Sequence, residues 1–92
     1  MIKTFRHSGL ERFFKTGSKA GIQPAHANKL KSQLLLLNIV KKAEDMNTPG
    51  WELHPLRGNL AGHWSVRANG NWRITFGFDD EDAILVDYQD YH

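Results

Sequence analysis

The segment WSVRANGNWRITF, residues 64–76, constrains this chain more than any other. Trp64, Val66 and Ala68 alternate with Ser65 and Arg67, and Trp72, Ile74 and Phe76 alternate with Arg73 and Thr75. Between the two runs, NGN at 69–71 supplies the Asn-Gly pair that tight hairpin turns use at their positive-φ positions. Period-two alternation on both sides of such a turn predicts an antiparallel pair with one apolar and one polar face. Arg67 and Arg73 then project from neighbouring strands toward the same side.

Upstream the period changes. In SGLERFFKTG, residues 8–17, Leu10, Phe13 and Phe14 form one helical stripe, Ser8 with Glu11 makes a capping box, and Gly17 supplies the stop. After a loop containing Gly21, Pro24 can open a second helix, in which Ala27, Leu30, Leu34 and Leu37 recur at helical spacing to about residue 40 or 42. That leucine stripe is core. IKTFR at 2–6 reads as a short strand, and EDMNTPG at 44–50 is turn chemistry. From Trp51 onward the short segments WEL, HWSVRA, WRITFGF and AILVDY are β-like, with DDED at 79–82 as a further hairpin turn. The prediction is one α+β domain over residues 1–92, with two N-terminal helices packed on a small curved antiparallel β-sheet.

A chain of 92 residues is large enough for one core and too small for two. With 40% hydrophobic and 24% charged residues it is not a disordered chain. It has no cysteine, which removes disulfide scaffolds and thiolate metal sites and makes a reducing cytoplasm the expected compartment. The longest apolar run, LLLL at 34–37, is too short for a membrane span, and no secretory signal is expected. The formal charge of +2 conceals a polarised distribution. Residues 1–42 hold nine basic residues against Glu11, a net of +8, whereas residues 43–92 hold three arginines against nine acids, a net of −6. A positive field of that size attracts polyanions, although solvation of helix faces would also account for the lysines.

Three groups of residues carry chemistry. In LHPLRG, residues 53–58, Pro55 and Gly58 punctuate a segment that holds His54 and Arg57 close together near a strand edge. Arg67 and Arg73 can form a phosphate or carboxylate cradle, since each guanidinium fork donates two parallel bonds; alternatively they pair with Asp87, Asp79 or Glu52 across the sheet. The final stretch VDYQDYH, residues 86–92, ends on an acid, a phenol and an imidazole directly after an apolar strand-like run. Asp90, Tyr91 and His92 can between them accept protons, donate protons and stack on a base. RNA cleavage by attack of a 2′-hydroxyl on its own phosphate needs such a set: a base, an acid and cations for the developing charge, with no metal or other cofactor. Zinc on His54, His63 and His92 is disfavoured by the lack of cysteine and of HExxH-type spacing. Ser65 sits in a strand rather than a nucleophile elbow, so a serine hydrolase lacks support.

In the opening MIKTFRHSGLERFF, the central LHPLRG, the arginine strand pair and the ending DYH, the sequence resembles the HigB branch of the RelE/ParE toxin superfamily nearly end to end. The resemblance implies a compact α+β RelE-like fold and a ribosome-dependent endoribonuclease that cuts mRNA in the decoding site. It implies a HigA-type helix-turn-helix antitoxin as partner, through which alone the toxin would reach DNA. It places the family's active-site histidine on His54 and its terminal acid, tyrosine and histidine on Asp90, Tyr91 and His92. The basic residue of the central motif falls on Arg57, where lysine is common in relatives; an arginine cannot exchange a proton at neutral pH, so its role there is electrostatic. Arg67 and Arg73 match strand arginines that resemble phosphate contacts. Proton transfer is expected of His54 or His92, with Asp90 as base or as the group orienting an imidazole, and Tyr91 stacking or hydrogen bonding at the codon. In the basic half, Lys15, Lys19, Lys29 and Lys31 are expected to meet ribosomal RNA. Two other readings share the scaffold, a ParE-like gyrase poison and a catalytically silent RNA- or protein-binding module; the His54 and Asp90-Tyr91-His92 set favours the nuclease over both.

Overall fold

The structure, a computed structural model, describes residues 1–91. The first helix, α1, spans Ser8–Thr16 and buries Leu10 and Phe13. Its cap differs from the expected Ser8–Glu11 box. His7 is the N-cap, and its Nδ1 accepts the Leu10 amide at 2.9 Å, so an imidazole acceptor does what a serine hydroxyl ordinarily does. Glu11 instead pairs with Lys15 one turn on, at 2.9 Å. Gly17 ends the helix in the left-handed region at φ 81°, its amide donating to the Phe13 carbonyl.

The chain then returns against its own start. A Cβ on Gly9 would lie 2.7 Å from the Gly21 carbonyl oxygen, and one on Gly21 would lie 2.5 Å from the Gly9 Cα. The two backbones therefore touch directly, and only a pair of glycines allows that approach. Pro24–His26 forms a 3₁₀ turn that leads into α2, Ala27–Ile39, near the expected end. Leu30, Leu34 and Leu37 are wholly buried, as the stripe requires. The following turn, Ala43–Met46, is more than a connector, because Ala43 and Met46 close the core.

The sheet has the order β1-β2-β3-β4, antiparallel throughout, with β1 at His54–Pro55, β2 at Trp64–Asn69, β3 at Trp72–Asp79 and β4 at Asp82–Asp90. Two expected strands are absent. Residues 51–53 are not β; Glu52 sits at φ 50°, in the left-handed region rather than the extended one. Residues 2–6 form no regular strand; they make two isolated parallel bridges to β4, Ile2 with Ala83 and Phe5 with Val86. β4 itself bulges where the register shifts between Thr75 and Gly77, with Leu85 at φ 53°.

One sheet face meets the helices. Val66, Ile74, Phe76, Ala83 and Val86 pack there with Leu10, Leu30, Leu34, Leu37 and Met46 as a single core. Burying such side chains contributes roughly 1.5–3 kcal/mol each, which places most of the stability on this face. No helix among the described residues is long and apolar enough to cross a membrane. The other sheet face carries the polar residues.

Candidate functional site

Strand register lines up the polar face in two rows. His54 pairs with Ser65, Ser65 with Thr75 and Thr75 with Asp87, so one residue from each strand stands side by side. In the next row Arg67 pairs with Arg73 and Arg73 with Gln89. Opposed residues in an antiparallel pair share a face, so the histidine and both arginines project together. The NGN turn closes with Asn69 opposite Trp72 and Gly70 at φ 56°, and a bulge between Arg67 and Asn69 then brings Arg67 opposite Arg73.

His54 is exposed at the edge strand, yet it is held from two sides. Its Nδ1 lies 3.1 Å from the Glu52 carbonyl and 3.2 Å from the Arg73 Nη2. Its Nε2 lies 3.4 Å from the Ser65 Oγ, and Ser65 is fully buried beneath it. Arg73 also reaches the Glu52 carbonyl at 3.4 Å. Its Nη1 is buried and has no acceptor among the described residues. A buried guanidinium N–H without an acceptor is costly unless a ligand supplies one, and an anionic oxygen is the matching group.

Arg67 is more constrained. It pairs with the Glu52 carboxylate at 3.4 Å, its Nε donates to the Gly70 carbonyl at 3.0 Å, and its own carbonyl accepts from the buried Gln33 at 2.7 Å. Of the three acids considered for cross-sheet pairing, Glu52 is the one in use. Glu52 is also the residue that sequence reasoning undervalued. Its backbone carbonyl serves His54 and Arg73 while its side chain holds Arg67, and its backbone lies in the left-handed region at φ 50°; strained residues of this kind cluster at functional sites. Nothing in the pattern GWEL announces a left-handed glutamate.

The remaining candidates surround this centre. Arg57 is exposed where the 3₁₀ turn Gly58–Leu60 begins. Asp90 stands in register with Trp72, one residue beyond the Arg73–Gln89 pair, so the chain end runs alongside the arginine row. By alternation Asp90 shares the phase of Tyr88 rather than of Gln89. Tyr91 is half-buried, and its amide donates to the Asn71 carbonyl at 2.8 Å, which ties the end of the chain to the hairpin turn. His92 lies outside the described residues. Lys15, Lys19 and Lys31 are exposed and Lys29 is half-buried, all on the helical side of the molecule.

Behind the chain end, Tyr88 is buried with its hydroxyl 2.6 Å from the His26 Nδ1. Its ring stacks on Trp72 at 4.5 Å between centroids and meets His7 edge-on at 5.4 Å. Burial pushes the Tyr88 phenol above its ordinary value; the Gln23 backbone opposes that rise and the negative charge of Asp90 adds to it. This aromatic group fastens α1, the loop before α2 and strands β3 and β4 at one point.

The family profile described as the RelE-like toxin of type II toxin-antitoxin system HigB matches residues 3–92. The chain is 36% identical over 92 residues to Endoribonuclease HigB of Proteus vulgaris, covering the whole of both proteins. It is 30% identical over 94 residues to Toxin HigB-1 of Vibrio cholerae serotype O1, covering all of this chain and 98% of that one. In fold it is similar to YafQ from E. coli. A point variant of that protein superposes with a TM-score of 0.59 at 17% identity, covering 98% of this chain and 93% of that one. YafQ from strain BL21(DE3) gives 0.58 at 15%, with the same coverage. With nearly all its residues matched and both sequence relatives covered end to end, the chain belongs to the family of RelE-like HigB toxins of type II toxin-antitoxin systems.

Proposed function

We propose that this toxin is a ribosome-dependent endoribonuclease that cleaves mRNA in the ribosomal A site by metal-independent general acid-base catalysis and so inhibits translation. The pairing of His54 with Arg73 at 3.2 Å, beside a buried Nη1 that lacks an acceptor among the described residues, carries this reading. The name Endoribonuclease HigB of the Proteus vulgaris relative supports it.

In this mechanism His54 carries its proton on Nδ1 and donates it to the Glu52 carbonyl, so the nearby Arg73 guanidinium acts on the ring through its charge rather than through a hydrogen bond to that nitrogen, and the Nε2 lone pair is available as base. Nε2 takes the proton of the 2′-hydroxyl, the freed oxygen attacks the adjacent phosphorus, and the bond to the 5′-oxygen breaks. The leaving oxygen takes a proton from the chain end, where His92 is the acid and Asp90 orients it. The products are a 2′,3′-cyclic phosphate and a 5′-hydroxyl. Arg73 and Arg67 hold the phosphate as negative charge builds, Arg57 adds to the positive field, and Tyr91 stacks at the codon. No cofactor takes part. A HigA-type helix-turn-helix antitoxin is the partner that restrains the toxin, and any contact with DNA goes through it.

Replacement of either His54 or His92 by alanine tests the assignment. General acid-base groups supply about 10²–10⁴ in rate, so each variant should lose growth inhibition while remaining folded and antitoxin-binding. Full toxicity of both variants at equal expression would contradict it.

A further inference from the structure

His63 stands on the same face as the catalytic candidates but has no part in the mechanism above. It precedes β2 by one residue, in the phase of Ser65 and Arg67. Gly77 of β3 lies in the phase of Thr75 and Arg73 on that face. A Cβ placed on Gly77 would lie 3.3 Å from the His63 Cε1, 3.3 Å from its Nε2 and 3.5 Å from its Cδ2. Near-equal distances to three consecutive ring atoms mean that the imidazole turns its flat face to the strand. Had it pointed edge-on, the middle atom would be clearly nearest. The ring is thus laid on a position where a side chain is absent.

The backbone holds it there. The His63 amide donates to the Leu60 carbonyl at 2.9 Å, and its carbonyl accepts the Leu56 amide at 2.8 Å. Both partners belong to the loop that carries Arg57 and follows His54. The residue is half-buried. A fixed aromatic ring with one face on the sheet loses little entropy when something covers the other face, and bases of single-stranded RNA stack on histidine in this way. Two residues along a strand is about 7 Å, which sets His63 next to the His54–Ser65 pair without obstructing it.

We infer that His63 is a nucleotide-binding residue, a stacking platform for the base beside the scissile phosphate, and that Gly77 is bare so that the ring can lie flat. This inference rests on the nuclease reading. Single-turnover cleavage of mRNA on programmed ribosomes, at increasing ribosome concentration, tests it with His63→Ala, His63→Phe and Gly77→Ala, each checked for an unchanged thermal transition. Loss of a stacked base corresponds to about ten- to a hundredfold, so His63→Ala should raise the half-saturating concentration by that order and leave the maximal rate nearly as it was. His63→Phe should restore binding, and Gly77→Ala should weaken it by lifting the ring. Unchanged saturation in His63→Ala, or a fall in maximal rate that phenylalanine does not rescue, would overturn the inference while leaving the nuclease intact. No cleavage by the unsubstituted protein would overturn the nuclease reading and this inference with it.

Discussion

Arg73 shows how much one side chain can settle. It lies opposite Arg67, reaches His54 and the Glu52 carbonyl with one Nη, and keeps the other buried without an acceptor among the described residues. Arg73→Lys preserves the charge but removes the fork. Hydrogen bonds to charged groups contribute about 1.5–3 kcal/mol, so cleavage should fall roughly ten- to a hundredfold in a single-turnover assay. Wild-type cleavage by this variant would mean that the residue serves only the sheet. The arginine pair was legible in the sequence because the apolar residues on both sides of the turn must share one face, which leaves the arginines on the other; the bulge between Arg67 and Asn69 that achieves this was not. Glu52 was not legible, since its role follows from a left-handed backbone that its own chemistry does not favour. Nor was the closeness of His63 to Gly77, which joins two strands at a place where one of them offers no side chain to read.

At the level of elements, helix existence, core faces and the Gly17 stop of α1 followed from the sequence, while its N-cap and the sheet edges did not. His7 displaced Ser8 as the N-cap because an imidazole nitrogen can accept the same amide. Residues 2–6 gained bridges to β4 without becoming a strand, with the Ile2 amide turned instead to the Asn38 side chain at 2.9 Å. The junction of these elements with β3 and β4 is the group around Tyr88, whose phenol burial pushes above its ordinary value of 10.0. A raised value means that the folded state holds this proton more tightly than the unfolded chain. The contribution is therefore complete below pH 10.0 and is lost as pH rises through the folded value. Tyr88→Phe should cost about 1–3 kcal/mol at pH 8, because His26 loses its partner. Urea unfolding at pH 8 and again above pH 10.0 should show the gap between the two proteins narrowing. A gap that stays constant would place the alkaline loss of stability elsewhere.

For the molecule as a whole, the fold divides labour between its two sheet faces. The face toward α1 and α2 holds the core and leaves lysines on the outer helical surface, while the opposite face presents His54, Arg67 and Arg73; Asp90, one residue beyond Gln89, is in the phase of Tyr88. In the account proposed here, Lys15, Lys19, Lys29 and Lys31 meet ribosomal RNA while the polar sheet face receives the messenger, so the ribosome both positions the toxin and presents an unstacked codon. A gyrase poison would have no use for a histidine held between a carbonyl and a guanidinium. The central claim is therefore that cleavage needs the ribosome and that His54 performs it. Primer extension on one mRNA, with purified ribosomes and without them, tests both parts when the unsubstituted toxin is compared with His54→Ala. The account predicts discrete cleavage within codons only for the unsubstituted toxin and only with ribosomes present. Equal cleavage of free mRNA, or cleavage by His54→Ala at the same rate, would contradict it.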